Sequence, residues 1–309
     1  MSLPKLHGIG EGPWRGEERA SAFAEREFQV CIAARMVEDG STYWVAGGGG
    51  PMYSVLMAKR LYAPDVVYVT EDGLVGAEPL LPFDPVMTLA AARPAYRALM
   101  WTTMSGIGDQ SGVGYLDYGV LNTLQVDPYG NVNSTWLGSY PSEGRRMNGP
   151  GGADTIASVC RRLVLMTDHQ RRKFVERVDF ISSPGYLDGS PRARELAGLP
   201  EDTGPYAVIT NWAVFDFEAE SRRLRLRAIA PFVTVEQVLG EMGFRPIVPA
   251  PDEIQVLDPP TERELTILRT EMDVRGQFTD AAPDWVVWED NQWKMVKREP
   301  QKGAGPGFI

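Results

Sequence analysis

Apolar side chains recur along the chain at two spacings, one typical of helices and one typical of buried strands. Residues 21–39 place apolar positions at near-helical spacing, and Gly40 can end that helix. A strand over residues 41–46, a glycine run and a helix over residues 52–61 follow. Residues 66–70 are β-branched and aromatic, as expected of a buried parallel strand. Strand, helix and strand in this order predict a βαβ unit.

The alternation of strands and helices continues to about residue 274. We predict further helices over residues 90–100, 153–160, 234–242 and 261–274, and further strands over residues 120–126, 133–137, 161–166, 206–211, 213–217 and 223–230. Because hairpin signals are few, this order predicts an α/β fold with an open, mostly parallel sheet and flanking helices. We place the domain at residues 21–278, between an N-terminal arm (residues 1–20) and a Trp-rich C-terminal tail (residues 279–309).

Charge and composition exclude several classes of protein. The chain has 31 Lys and Arg against 41 Asp and Glu, a net charge of -10, so neither nucleic acid nor an anionic membrane surface is expected as a partner. It has two cysteines, Cys31 and Cys160, and two histidines, too few for a His/Cys zinc site, and no metal is expected. His169 lies among charged residues and is predicted on a solvated turn. Reduced thiols and the lack of a long apolar run favour a cytoplasmic protein.

Three segments could carry chemistry. The glycines of the run Gly47–Pro51 stand between a strand and a helix, where the backbone can approach a ligand or simply make a tight turn. Glu71 follows a buried strand, where a carboxylate can act as nucleophile or base, or can cap a helix. Gly151, Gly152 and Ala153 open a helix whose amides could hold an oxyanion, although a plain loop-to-helix entry explains them equally.

Several ordered blocks resemble one known family. The chain is similar, from about residue 23 to about residue 278, to the β subunits of class I CoA-transferases, those of the glutaconate type in particular. The blocks that carry the resemblance are GGGGPMYSVLMAKRLYAPD, TEDGL, QVDPYGNVNST, GPGGADTIAS, RRKFVERVDFISSPGYLDG and GLPEDTGP. This resemblance implies an open α/β sheet with an active site between an α and a β subunit.

The resemblance also implies roles for individual residues. Glu71 matches the family's catalytic glutamate, which in the family precedes Ser-Gly or Asn-Gly and here precedes Asp72-Gly73. A thioester-site segment matches Gly151, Gly152 and Ala153. The remaining CoA or substrate pocket matches Gly47, Gly49, Pro51, Gly73, Asn122, Thr123 and Gln125.

One segment departs from the family pattern. Where the family shows Gly-Gly-Ala-Gln-Ile-Asp, this chain has Asn122-Thr123-Leu124-Gln125-Val126-Asp127, so side chains replace two glycines near the expected site. The retained glutamate favours transfer of CoA between an acyl-CoA and a carboxylic acid, with an α-type subunit in an α2β2 assembly and no permanently bound cofactor. Hydrolysis or decarboxylation of an acyl-CoA on the same scaffold, or a non-catalytic subunit, are the alternatives.

Overall fold

The computed structural model describes residues 6–45, 49–80, 95–276, 278–279 and 284–297. The helices are α1 (Glu25–Arg35), α2 (Gly50–Leu61), α3 (Met104–Gly112), α4 (Ala153–Val159), α5 (Ala193–Leu196), α6 (Val235–Gly240) and α7 (Glu262–Ile267), with a 3-10 turn at Pro251–Glu253 and a π-helical turn at Leu268–Met272. The strands are β1 (Ala22–Ala24), β2 (Thr42–Val45), β3 (Val67–Thr70), β4 (Leu74–Val75), β5 (Met100–Trp101), β6 (Tyr118–Asn122), β7 (Gln125–Val126), β8 (Val132–Asn133), β9 (Trp136–Ser139), β10 (Glu143–Arg146), β11 (Arg162–Thr167), β12 (Pro205–Thr210), β13 (Ala213–Phe217), β14 (Leu224–Ile229), β15 (Gln255–Val256), β16 (Asp284–Glu289) and β17 (Gln292–Lys297).

A mixed ten-stranded sheet forms the centre of the described part of the chain. Its strand order is β15-β14-β13-β12-β11-β6-β2-β3-β4-β5. The five strands from β12 to β3 are mutually parallel, while β13 and β14 on one side and β4 and β5 on the other are added antiparallel. Their cores are almost wholly buried because helices cover both faces of the parallel centre. The α/β fold class is therefore confirmed.

Helices α2 and α4 cover opposite faces of this sheet. A Cβ atom at Gly50 in α2 would lie 3.4 Å from the Met166 side chain, whereas a Cβ atom at Gly119 in β6 would lie 2.3 Å from Ile156 Cγ2 in α4. Met166 and Leu163 point to opposite faces because strand side chains alternate, and Leu163 is the register partner of Gly119. Gly119 thus lets α4 approach the sheet more closely than any side chain would allow.

A buried ion pair fastens helix α1 to helix α7. Arg35 in α1 forms a bidentate pair with Glu264 in α7, at 2.7 and 2.8 Å, and both side chains are at most 3% exposed. The Arg35 guanidinium also lies over the Trp14 ring, 5.2 Å from its centroid. Trp14 is itself buried. Leu6 and Ile9 also pack against the core, so the described part of the N-terminal arm lies on the domain surface.

The C-terminal tail contains structure that the sequence did not reveal. β16 and β17 form a hairpin, and β16 pairs with β1 to give a separate three-stranded sheet. Phe23 in β1 lies 5.3 Å from Trp293 in β17, between ring centroids. The hairpin therefore covers an aromatic cluster at the start of α1.

Other local elements differ from the predicted ones or were not predicted. Residues 95–100, expected to end a helix, form a turn and the start of β5, and residues 90–94 lie outside the described residues. The Gly-rich segment after residue 104 is helix α3, which Thr103 caps by accepting a hydrogen bond from the Gly106 amide. The apolar positions of residues 174–181 predict a short strand or a helix-to-strand passage, but the segment contains one isolated bridge.

His169 lies in the core, and the predicted solvated turn was wrong. Its ring stacks on Trp212 with centroids 5.3 Å apart, and Nε2 lies 2.8 Å from the Val238 carbonyl oxygen. The side chain is only 3% exposed. Burial lowers the pKa of His169 to about 4 because the charged imidazolium would lose its hydration.

We expect Gly119→Ala to lower the free energy of unfolding by about 1–3 kcal/mol, because the added methyl group overlaps Ile156 and forces α4 away from the sheet. Urea unfolding monitored by circular dichroism measures this change. Gly112→Ala is the matched control, since no atom lies within 4 Å of a Cβ atom there. Equal stability of the two variants would contradict the close contact.

We also expect a stability loss in acid that depends on His169. Between pH 6.5 and about 4 the unfolded chain binds a proton at His169 that the folded chain does not bind. Its contribution to stability is therefore complete above pH 6.5 and is lost as the pH falls toward 4, by as much as about 3 kcal/mol. Urea unfolding at several pH values should give a shallower pH dependence for His169→Gln than for the unchanged chain. Parallel pH dependences would show that the prediction is wrong.

Candidate active site

The carboxyl ends of the central strands meet at one edge of the sheet. Val45 at the end of β2 pairs with Thr70 at the end of β3 and with Val120 in β6. The start of α2, Glu71 and Asn122 therefore lie along the same edge. Open α/β sheets bind ligands at this edge. The structure thus brings together three of the sequence-predicted segments.

A crevice is expected where the chain reverses its direction across the sheet. From β2 the chain passes into α2 on one face, and from β6 it leads through residues 123–152 to α4 on the other face. This divergence is the topological switch point of a doubly wound sheet. Helix α2 precedes a parallel strand, as does α4, so both helices begin at the carboxyl edge. Gly49 and the Asn122–Thr123 segment therefore flank the switch point, while Gly47 lies outside the described residues.

Gly49 and Pro51 shape the start of α2. Gly49 has φ +70°, a conformation that favours glycine, and Pro51 occupies the first turn, where its missing N–H is not needed. The Phe278 ring lies 3.9 Å from the Cβ position of Gly49 and contacts Tyr53 edge to face. The first-turn amides of α2 can attract an anionic group. Sequence reasoning missed Phe278, which stands at the last residue of the family resemblance.

Glu71 stands at the apex of a tight turn between β3 and β4. The Thr70 carbonyl accepts a hydrogen bond from the Gly73 amide at 3.3 Å, and Thr70 Oγ1 accepts one from the Leu74 amide at 3.1 Å. Gly73 has φ +106°, and a Cβ atom there would lie 2.5 Å from the Thr102 carbonyl oxygen. Only glycine fits at this position. The turn presents Glu71, which is half-buried, at the carboxyl edge.

The segment that departs from the family follows β6 directly. Asn122 is exposed, whereas Thr123 is buried and its hydroxyl makes no hydrogen bond within the described residues. Gln125 is buried, and both ends of its side-chain amide are hydrogen-bonded. Asn133 Nδ2 donates to its Oε1 at 2.6 Å, and its Nε2 donates to Asp179 at 3.1 Å. Gln125 therefore links the two strands of the β7–β8 hairpin to each other and to Asp179.

Gly151 and Gly152 form an open entry to α4. Gly151 has φ +55°, and no atom lies within 4 Å of a Cβ position at either glycine. The Ala153 amide, by contrast, already donates to the Pro150 carbonyl at 2.9 Å. Of the three predicted oxyanion donors, the two glycine amides are thus better placed to meet a ligand.

A buried arginine that the sequence did not mark holds the other end of α4. Arg194 donates to the Ala157 and Ser158 carbonyls at 3.3 and 3.1 Å and to the Gly185 carbonyl at 2.7 Å. Burial lowers the pKa of Arg194 to about 10. It lies in the short helix α5 among other charged residues, as an exposed side chain would, so no sequence signal identified it. It donates to two carbonyls in the last turn of α4, where backbone acceptors lack partners within the helix.

The described residues contain no group of three or more His, Cys, Asp or Glu side chains that could hold a metal ion. They also contain no helix that is both long and apolar enough to span a membrane. Both cysteines are free and buried.

Comparisons with known proteins agree with the motif resemblance. A sequence model of the coenzyme A transferase family matches residues 29–241, well over half of the chain. The B-type subunit of glutaconate CoA-transferase from Acidaminococcus fermentans is 32% identical over 83% of this chain and 95% of the relative. The B-type subunit of 3-oxoadipate CoA-transferase from Pseudomonas knackmussii is 31% identical over 81% of this chain and 93% of the relative.

Structural similarity leads to the same family. The crystal structure of the Acidaminococcus fermentans glutaconate CoA-transferase superposes with a TM-score of 0.75 at 30% identity, covering 83% of this chain and 97% of that one. The family model's matched range, residues 29–241, includes the carboxyl edge and both helix starts described above. The chain therefore belongs to the coenzyme A transferase family, which confirms the predicted family, fold class and assignment to CoA transfer.

Proposed function

We propose that this chain is the β-type subunit of an acyl-CoA:carboxylate CoA-transferase in which Glu71 is the nucleophile. The observation that carries the proposal is the position of Glu71, at the apex of the Thr70–Gly73 turn where β3 ends beside the switch point. A carboxylate there is held by the sheet and can still approach a ligand bound at the carboxyl edge.

The reaction begins when a Glu71 carboxylate oxygen attacks the thioester carbonyl carbon of an acyl-CoA. The tetrahedral intermediate collapses with cleavage of the C–S bond, which leaves a mixed anhydride and CoA thiolate. The thiolate then attacks the Glu71 carbonyl carbon and displaces the donor acid as a carboxylate. The glutamyl-CoA thioester so formed transfers CoA to a second carboxylate by the reverse steps. Covalent catalysis in this way replaces one difficult exchange by easier steps, without net proton transfer.

Each tetrahedral intermediate carries an oxyanion that needs hydrogen-bond donors. The amides of Gly151 and Gly152 open α4 at the carboxyl edge, and nothing crowds their Cβ positions. Loss of one such donor commonly costs about 100- to 1,000-fold in rate. Ala153 contributes to the geometry of the entry, with its amide bound to Pro150.

The acyl and CoA moieties would occupy the switch-point crevice. Gly49 and Pro51 border it on the α2 side, Gly47 is assigned to it by the family resemblance, and Gly73 fixes the turn next to it. On the β6 side stand Asn122 and Thr123, whose side chains narrow the space that glycines leave open in the family. This difference favours an acyl group unlike that of the relatives. Gln125 fixes the segment from behind.

An exposed apolar surface beside Glu71 supports an obligate partner. Leu99, Trp101 and Met104 are 81%, 61% and 52% exposed, and together with Met100 they form what we term the edge surface. It adjoins the Glu71 turn, because the Thr102 amide donates to the Gly73 carbonyl at 2.9 Å. Exposed apolar patches next to a site mark protein interfaces. We assign the edge surface to contact with an α-type subunit in an α2β2 complex. We place this complex in the cytoplasm, where two buried free thiols remain reduced.

We expect incubation of the assembled enzyme with acyl-CoA, without an acceptor acid, to leave CoA on the peptide that contains Glu71. Borohydride should reduce this thioester and inactivate the enzyme permanently. Glu71→Gln should form no adduct at first, because an amide is a poor nucleophile. Mass spectrometry of the peptide measures the adduct.

The alternatives give different outcomes in the same experiment. Hydrolysis predicts steady release of free CoA without a covalent adduct, and decarboxylation predicts carbon dioxide. CoA on another carboxylate would remove Glu71 from the nucleophile role.

We expect the combined change Leu99→Ser and Trp101→Ser to weaken association with the α-type subunit at least about tenfold, because buried aromatic and aliphatic anchors dominate interface energies. Co-purification and size-exclusion chromatography of co-expressed subunits measure the association. Leu196→Ser, at a leucine that is 74% exposed on α5, is the matched control. Full acyl transfer by the isolated chain would contradict an obligate partner.

A further inference from the structure

Asp72 occupies an unusual position next to Glu71. Its Oδ1 accepts a hydrogen bond from the Thr70 hydroxyl. The same hydroxyl accepts a hydrogen bond from the Leu74 amide. Its Oδ2 is buried and has no hydrogen-bond partner among the described residues. No described Lys or Arg forms an ion pair with it.

A structural role in the turn explains the hydrogen bond at Asp72 Oδ1 but does not explain the buried Oδ2. An asparagine could accept the Thr70 hydroxyl equally well through its carbonyl oxygen, so the turn alone does not require a carboxylate. A buried carboxylate oxygen without a partner lowers stability, since it has lost its hydration and gained nothing in exchange. Such a group needs an explanation outside folding.

Among the described residues, no cationic side chain of the elements around the turn compensates this negative charge. The neighbouring elements β2, β4, β5 and α3, all within the described ranges, contribute Asp109 as their one ionised side chain, together with the phenol of Tyr43. Burial raises the pKa of Tyr68 in β3, and the charges of Asp72 and Glu71 raise it further. Both carboxylates thus lie close enough to Tyr68 for their charges to affect its phenol.

Resting on the proposed function, we infer that Asp72 is a positioning residue for the nucleophile. Through Thr70 it fixes the turn that orients Glu71, and its second oxygen places a negative charge beside Glu71. A neighbouring like charge makes a carboxylate more basic, and a more basic carboxylate attacks a thioester carbonyl more readily. The hydrogen bond from Thr70 and the negative charge of Asp72 are therefore two contributions to the position and basicity of Glu71 that different substitutions can separate.

The test compares Asp72→Asn, Asp72→Ala and Thr70→Val in the complex with the α-type subunit. The rate of CoA loading on the Glu71 peptide is measured by quenched mass spectrometry across pH. Asp72→Ala and Thr70→Val should slow loading about 10- to 100-fold, with little change in the KM for acyl-CoA, because Glu71 is misplaced. Asp72→Asn should keep most of the rate at neutral pH and move the acidic limb of the pH profile down by about half a unit or more. Asp65→Asn, before the other end of β3, is the matched control and should change neither quantity.

Two results would overturn this role. Loading at the unchanged rate in both Asp72→Ala and Thr70→Val would remove the positioning contribution, and an unmoved acidic limb in Asp72→Asn would remove the electrostatic one. Thr70→Val is nearly isosteric, so it gives an answer even if Asp72→Ala does not fold. Absence of CoA on the Glu71 peptide of the unchanged enzyme would overturn the proposed function itself, and this inference with it.

Discussion

Parallel pairing of β2 with β3 and β6 is the constraint on which the rest of the molecule depends. Parallel neighbours cannot be joined by a tight turn, so each connection must cross the sheet, here through helices. Every such helix begins at the edge where the preceding strand ends. Three polar or glycine-rich segments from distant parts of the sequence are consequently collected at one edge, as the register of Val45 with Thr70 and Val120 shows.

The sequence predicted the elements whose pattern is set by burial. The strands around residues 43, 68 and 120 are buried on both faces, so their continuous apolar character is unmistakable. Glu71, Gly49 and Gly151 could be located because they follow or precede such elements. The assignment of Asn122 to the pocket came from the family resemblance, and its exposed side chain could not be predicted from the sequence.

The missed elements and the wrong predictions fall where local composition opposes the tertiary environment. Helix α3 contains three glycines and has a low intrinsic helix propensity, and it forms because Ile107 packs into the core and Thr103 caps it. His169 follows an aspartate and precedes charged residues, yet Trp212 and Phe174 enclose its ring. Gln125 resembled a ligand-binding residue by its place in a motif, while its amide is engaged by Asn133. None of these packing partners is adjacent in sequence.

The three-stranded sheet of β1, β16 and β17 has a consequence for synthesis. β1 begins at residue 22 and pairs with a strand that begins at residue 284, so the start of the domain cannot complete its pairing until residues 284–289 have left the ribosome. Until then Phe23 lacks its Trp293 neighbour, and an apolar cluster at the head of α1 stays open to water. The parallel centre, built from residues 42–210, can assemble earlier. We therefore expect nascent chains to pass through a stage in which the carboxyl edge of the sheet is formed while the aromatic cluster is still exposed to chaperones or aggregation.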